Sequence, residues 1–164
     1  MTEITENVAR VRANIAAAAK RAGRRPEDIY LVAASKTNDS GRVREAIAAG
    51  IRICGENRVQ EMLEKQAQGA YEGAELHFIG HLQKNKVKQV VGLASLIQSA
   101  DSLALIRLID KTAAEKGIVQ DILLEVNIGG EASKSGFSPE ELLPALAGIS
   151  QFRAIRVRGL MTIP

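Results

Sequence analysis

The chain has 164 residues, a length that favours one domain with a single core. Its formal net charge of +3, with two Tyr, three Phe and no Trp, argues against nucleic-acid binding through a basic surface or stacked bases. The single cysteine, Cys54, cannot form an internal disulfide, no apolar run is long enough to cross a membrane, and the first residues are acidic where a secretory signal would be basic. These features predict a cytoplasmic protein that binds neither membranes nor nucleic acid.

Along the chain, a first helix is followed by alternating strands and helices. Residues 2–22 carry apolar side chains three and four positions apart and end at Gly23, which predicts an N-terminal helix. Six apolar runs predict strands, and they begin at Ile29, Ile51, Glu75, Leu96, Asp121 and Ile155. Helical patterns separate them, over residues 43–49, 59–67, 82–93, 103–114 and 139–149. This alternation predicts an α/β fold with a parallel sheet, in one domain over residues 1–164.

Two architectures fit the alternation, an open doubly wound sheet and a (β/α)8 barrel. Residues 34–41, after the first strand, lack the glycine-rich turn that binds phosphate in many doubly wound folds. This absence favours the barrel but leaves both architectures open. In either one, the functional side chains lie at the carboxyl ends of the strands.

Lys36 stands out among the strand-end residues because it directly follows a buried apolar run. Burial there would disfavour its ammonium form and leave an amine able to attack a carbonyl group. The preceding Ala33, Ala34 and Ser35 are small, so a flat ring could approach the backbone. The alternative is an ordinary lysine whose charged end reaches solvent.

The next two strands end in further polar residues. Glu56 could cap the helix that follows, while Asn57 could hold Lys36 or a ligand by hydrogen bonds. His77 lies inside a strand and is expected to be a buried histidine with a hydrogen-bond partner, and His81 follows Gly80 at the functional edge. One Cys and two His give no closed ligand set, so we expect no metal site.

Two basic segments remain. The lysines of residues 84–88 fall where a helix would expose them to solvent, which explains them without RNA. Lys134 lies in a loop rich in Gly and Ser, residues 129–136, whose backbone N–H groups suit an anion.

These strand ends carry short motifs that resemble, in the same order, those of the pyridoxal 5′-phosphate (PLP) homeostasis protein family. The most specific of them is the ten-residue segment HFIGHLQKNK at 77–86. The matching segments are residues 33–37 (AASKT), 55–57 (GEN), 59–61 (VQE), 77–86 (HFIGHLQKNK), 125–127 (EVN), 133–136 (SKSG) and 158–164 (RGLMTIP).

The resemblance implies the barrel of the alanine racemase N-terminal domain, a TIM-type (β/α)8 barrel of fold-type III PLP proteins with an extra N-terminal helix. It implies PLP as cofactor, held as a Schiff base on Lys36, with Asn57, Asn127 and Met161 lining the pocket and Lys134 handling the cofactor. It further implies a protein without catalytic residues that serves PLP homeostasis, with PLP-dependent apo-enzymes as partners. Asn38-Asp39 replaces the Lys-Pro of many members, and we expect only a local change in the turn.

The alternative function is a PLP-dependent amino-acid racemase, which needs a second acid/base group that Tyr30 and Tyr71 are not placed to supply. The chain shows about six βα units and lacks the family's later phosphate-binding segments, so it is expected to be truncated at its C-terminal end. Six strands do not close an eight-stranded barrel. We therefore expect unpaired apolar edges at the first and last strands, edge-paired association of this chain where the full-length protein is a monomer, and weakened PLP binding.

Overall fold

The computed structural model describes residues 2–164, which form six helices and six strands. In chain order these are α1 (Glu3–Arg21), β1 (Val32–Ala34), α2 (Ser40–Ala48), β2 (Ile53–Glu56), α3 (Val59–Ala67), β3 (Glu75–Phe78), α4 (Val87–Val90), β4 (Leu96–Ala100), α5 (Leu103–Glu115), β5 (Gln120–Glu125), α6 (Pro139–Ile149) and β6 (Ile155–Met161). Two short 3-10 turns, Pro26–Asp28 and Lys84–Lys86, complete the list. The predicted alternation of strands and helices is confirmed.

Several elements differ from their predicted bounds, and the second strand begins at Ile53 rather than at Ile51. The helix predicted over 82–93 is wrong in length, because only the turn Lys84–Lys86 and the single-turn α4 are helical. Gly92, with φ +84°, follows α4 in a left-handed conformation that ends the helix. The first strand begins at Val32 rather than Ile29, because the Ile29 N–H still bonds to the Pro26 carbonyl of the preceding turn.

The structure divides into two compact units. The first contains the residues up to Glu56 together with Gln60–Leu76. In it, β1 and β2 pair in parallel, with Val32 opposite Ile53 and Ala34 opposite Gly55. The N–H of Glu75, the first residue of β3, bonds to the Arg52 carbonyl just before β2. β3 therefore begins beside β2.

The second unit contains Asn57–Val59 and His77–Pro164. Its strands β3, β4, β5 and β6 pair in parallel and in chain order. Buried apolar side chains line this sheet and the helix α5, among them Phe78, Ile97, Leu105, Ile106, Ile109, Ile122 and Leu124. Neighbouring strands that follow chain order, without a reversal, belong to a barrel-type sheet rather than to a doubly wound one.

Within the second unit, β6 has one strand neighbour, β5. Two of its apolar side chains, Val157 and Leu160, are exposed. The second unit therefore has the expected apolar edge at β6. Association of two chains through this edge stays a prediction. None of the helices over residues 2–164 combines the length and apolar character that a membrane span requires.

A buried ion pair organises the first unit around the end of β2. The Glu56 side chain is fully buried, and its Oε1 accepts hydrogen bonds from Lys65 Nζ at 2.7 Å, Tyr71 OH at 2.9 Å and Ser35 Oγ at 2.5 Å. Lys65 is itself buried, at 7% exposure. The interpretation of Glu56 as a helix cap is therefore wrong, because its carboxylate points into the core and not at the start of α3.

Lys65→Met should destabilise the protein strongly. The substitution leaves the Glu56 carboxylate buried without its cation, a change that typically costs about 3–5 kcal/mol. Urea unfolding followed by circular dichroism measures the loss. Lys111→Met is the matched control, because Lys111 is exposed on α5 and its loss should change stability by no more than about 0.5 kcal/mol. Equal stabilities of the two variants would contradict this account of the ion pair.

Gly80→Ala should destabilise the second unit. A Cβ at residue 80 would lie 2.6 Å from Asn57 Cα and closer still to the Asn57 carbonyl oxygen, and backbone atoms cannot move aside cheaply. We expect a loss of about 1–3 kcal/mol in thermal or urea unfolding. Gly148→Ala is the control, because a Cβ there would meet Leu103 Cδ2 at an ordinary 3.5 Å inside α6. A Gly80→Ala variant with unchanged stability would show that residue 80 does not lie this close to the Asn57 backbone.

Candidate functional site

Lys36 lies two residues beyond the end of β1, as its predicted strand-end position requires. The side chain is exposed, so the expectation that burial would desolvate its amine is wrong. The strand ends before Lys36, and the three residues that precede it are too small to cover a long side chain. Within residues 2–164, the Lys36 ammonium makes no hydrogen bond or ion pair.

The backbone around Lys36 is held by polar contacts of the first unit. The Ser35 N–H donates to the Gly55 carbonyl at 2.9 Å, and the Asn38 N–H donates to the Ser35 carbonyl at 3.1 Å. The side-chain amide of Asn38 donates to the Lys36 carbonyl at 3.1 Å. Asn38, which stands where many family members have lysine, thus stabilises the turn after Lys36. Asp39 caps α2, because its carboxylate accepts a hydrogen bond from the Arg42 N–H.

Tyr71 and Cys54, both in the first unit, stay protonated at neutral pH. Burial raises the pKa of Tyr71 far above its usual range, and its hydrogen bond to Glu56 raises it further. Burial also raises the pKa of the Cys54 thiol to about 11, with a smaller contribution from the charge of Glu56. At neutral pH, Tyr71 is therefore a hydrogen-bond donor and Cys54 an unreactive thiol.

In the second unit, three predicted site residues line one cleft. Asn57, Asn127 and Lys134 surround it, together with Gly80, His81, Glu125, Ser135 and Ile163. Its volume is about 230 Å³, below the range of roughly 300–1,000 Å³ usual for drug-sized ligands. Met161 ends β6 opposite Glu125 and is not among the residues that line the cleft.

The cleft contains buried acceptors that lack donors. Asn57 Oδ1 and Asn127 Oδ1 are buried, and neither has a hydrogen-bond partner within residues 2–164. The Asn127 amide group is fixed from its other end, because Nδ2 donates to the Glu131 and Lys134 carbonyls at 2.8 and 3.1 Å. Since unpaired buried acceptors cost free energy, the cleft suits a ligand or water that donates hydrogen bonds.

Charged groups of both signs meet at the rim of the cleft. His81 Nδ1 lies 3.2 Å from Asp101 Oδ2 and 3.3 Å from Ser135 Oγ, while Lys134 Nζ lies 3.0 Å from Glu131 Oε1. Burial raises the pKa of Glu125, the charge of Asp101 raises it further, and that of His81 lowers it. The carboxyl of Glu125 is thus easier to protonate than an exposed one.

The remaining histidine and the lysine-rich segment agree with the sequence analysis. His77 is buried in β3 and its Nδ1 lies 3.0 Å from Gln98 Nε2. Lys84 and Lys88 are exposed, on the 3-10 turn and on α4. Over residues 2–164, no three His, Cys, Asp or Glu side chains gather where they could share a metal ion.

The sequence analysis missed Lys65 and Glu61, which approach the Lys36 backbone from α3. Lys65 Nζ donates to the Ser35 carbonyl at 2.7 Å, and Glu61 Oε2 accepts from the Thr37 N–H at 3.1 Å. A signal for Lys65 was present in the sequence. It lies three residues after Met62 and six after Val59, which places all three on the buried face of one helix.

Known proteins resemble this chain over nearly its whole length. The sequence profile of the alanine racemase N-terminal domain family matches residues 7–164. A pyridoxal phosphate homeostasis protein of Pseudomonas aeruginosa is 44% identical over 165 residues, covering all of this chain and 71% of the relative.

Solved structures show the same fold. PipY from Synechococcus elongatus, solved with PLP bound, superimposes with a TM-score of 0.84 at 34% identity, over 99% of this chain and 71% of that one. The same protein without PLP gives a TM-score of 0.87 at 35% identity, over the same shares of the two chains. By profile, sequence and fold, the chain belongs to the alanine racemase N-terminal domain family and, within it, to the pyridoxal phosphate homeostasis proteins.

Proposed function

We propose that this chain is a non-catalytic PLP-binding protein of PLP homeostasis, and that Lys36 holds the cofactor covalently. The observation that carries the proposal is the exposed Lys36 amine, which has no partner within residues 2–164 and follows β1 in the family's Ser-Lys-Thr motif. A relative of this family, PipY, has been solved with PLP bound.

The chemistry needs only the amine and an aldehyde. The uncharged Lys36 amine adds to the aldehyde carbon, and one water leaves as a carbon–nitrogen double bond forms. Bound PLP supplies an electron-withdrawing ring that can stabilise negative charge on an attached carbon. Because Lys36 is exposed and has no partner among the described residues, no ion pair within residues 2–164 has to break before its amine can react.

We also propose that Asn57, Asn127, Lys134 and Met161 contact the cofactor, as the family resemblance implies. In the second unit, the unpaired Asn57 and Asn127 amide oxygens and the Lys134 ammonium at one cleft support this assignment. Met161 is outside the set of residues that line this cleft, and its assignment rests on the family resemblance alone. In this proposal the cofactor passes to PLP-dependent apo-enzymes in the cytoplasm.

A racemase function is disfavoured by the state of the tyrosines. Racemisation needs an acid/base group on each face of the substrate carbon, and Lys36 can serve only one face. Tyr71 is buried, donates to Glu56 and has a raised pKa, so it does not serve as a base. Tyr30 precedes β1 and is 79% exposed, at the opposite end of that strand from Lys36.

Lys36→Ala should abolish the visible absorbance of the PLP complex, because in this proposal the covalent link is made by the Lys36 amine and not by Lys134. Absorbance titration with PLP, followed by borohydride reduction and peptide mass spectrometry, measures it. In the unsubstituted chain we expect the pyridoxyl group on Lys36, and Lys111→Ala, which removes an exposed lysine of α5, should behave in the same way. A pyridoxyl group on Lys134 and not on Lys36 would refute the assignment.

The PLP-loaded protein should not racemise or transaminate amino acids at an appreciable rate, since neither Tyr30 nor Tyr71 is placed to act as the second acid/base group. Chiral chromatography of alanine and serine incubated with the loaded protein measures racemisation. Lys36→Ala purified in parallel is the control for contaminating enzymes. Turnover on the order of 1 s⁻¹ or faster that disappears with Lys36→Ala would establish an enzyme instead.

A further inference from the structure

Two charged side chains of α3 hold the backbone on either side of Lys36. The Lys65 ammonium donates to the carbonyl of Ser35, the residue before Lys36, at 2.7 Å. The Glu61 carboxylate accepts from the N–H of Thr37, the residue after it, at 3.1 Å. Hydrogen bonds to charged groups are stronger than neutral ones, so both flanking peptide groups are well fixed. We name Glu61 and Lys65 the Lys36 clamp.

The clamp is anchored in the core of the first unit. Lys65 Nζ also bonds to the fully buried Glu56 at 2.7 Å and lies 3.7 Å from Glu61 Oε2. Glu56 in turn accepts from Ser35 Oγ, so Ser35 is held through both its carbonyl and its side chain. Because the anchoring groups are buried, the backbone of Ser35 cannot shift without disturbing an ion pair.

The conformation at Thr37 shows that this backbone is under constraint. Thr37 has φ +63°, a left-handed conformation that β-branched residues rarely adopt. Such a residue costs on the order of 1 kcal/mol or more and persists only where surrounding contacts determine it. The Glu61 carboxylate supplies one such contact at the Thr37 N–H.

Lys36 itself combines a fixed backbone with an unrestrained side chain. The backbone groups of Ser35 and Thr37 are hydrogen-bonded to side chains of α3. The Lys36 amine is exposed and has no partner within residues 2–164. A reactive group on a fixed base loses less conformational freedom when it binds, and binding is correspondingly tighter.

We propose that Glu61 and Lys65 are positioning residues that fix the Lys36 backbone so that its amine meets the PLP aldehyde in one orientation. This inference rests on the proposed function, because it assigns the covalent link to Lys36. Neither residue touches the aldehyde in this account. Both act through the peptide groups of Ser35 and Thr37.

Glu61 is the better residue to test, because it is partly exposed whereas Lys65 is needed for the fold. Its side chain is 24% exposed, so Glu61→Ala should fold. We expect it to raise the Kd for PLP about tenfold, which corresponds to about 1.4 kcal/mol and to the loss of one hydrogen bond from a charged acceptor. Glu61→Gln keeps an acceptor oxygen and should restore the Kd to within about threefold of the unsubstituted value.

Glu64→Ala is the matched control, since Glu64 lies on the same helix, is exposed and bonds to Gln60 at 2.8 Å. It should leave the Kd unchanged. A second measurement needs no cofactor: amide hydrogen exchange at Thr37, followed by NMR, should be faster in Glu61→Ala than in Glu61→Gln or Glu64→Ala. A purely structural role for Glu61 would lower thermal stability without this selective change at Thr37.

The possible results separate the two proposals. If the unsubstituted chain shows no pyridoxyl group on Lys36 after borohydride reduction, the proposed function fails, and the positioning role fails with it even where exchange at Thr37 responds. If Lys36 is labelled but Glu61→Ala keeps the original Kd and Thr37 exchange rate, only the positioning role is overturned. Equal weakening in Glu61→Ala and Glu61→Gln would likewise overturn positioning through the hydrogen bond.

Discussion

The ion pair between Glu56 and Lys65 is the constraint on which the first unit depends. A carboxylate with no exposed surface is tolerated only beside a cation, because removing an isolated charge from water costs several kcal/mol. The cation comes from α3, so that helix must lie where Lys65 Nζ reaches the carboxyl ends of β1 and β2. The same ammonium then reaches the Ser35 carbonyl. One electrostatic requirement therefore sets both the helix position and the backbone path into Lys36.

The helices and strands were largely predictable, because the spacing of apolar residues along the chain differs between a buried strand and a helix with one buried face. The structure confirms the start predicted for β4 and the bounds predicted for α3 and α6. The prediction for residues 82–93 failed because buried valines and a leucine imitate a helical period, whereas Gly92 and the preceding 3-10 turn limit the helix to residues 87–90. The left-handed conformation of Gly92 thus ends the helix, although the spacing of apolar residues continues beyond it.

The positions of the candidate residues along the strands were predictable, whereas their surroundings were not. Sequence alone placed Lys36 at the end of the first strand and brought Asn57, Asn127 and Lys134 into consideration, and the last three share a cleft. It did not show that Lys36 is exposed or that Glu56 points inward, since both depend on which side chains cover a residue in three dimensions. Glu56 follows a glycine at a strand end, where a capping carboxylate and a core carboxylate have the same local sequence.

Costly features of the first unit lie next to the residue with the proposed function. Thr37 adopts a left-handed conformation, and Glu56 Oε2 is buried with no hydrogen-bond partner within residues 2–164. Either feature alone would destabilise a fold whose only requirement was stability. Both features lie near Lys36, whose side chain is exposed and unpaired within residues 2–164, and departures of this kind from stable local structure are common at functional sites. Tyr71 also belongs to the buried polar cluster of this unit, because its hydroxyl group donates to Glu56. The polar residues of this unit thus hold the backbone beside Lys36 and leave its side chain exposed, an arrangement that agrees with the proposed covalent link.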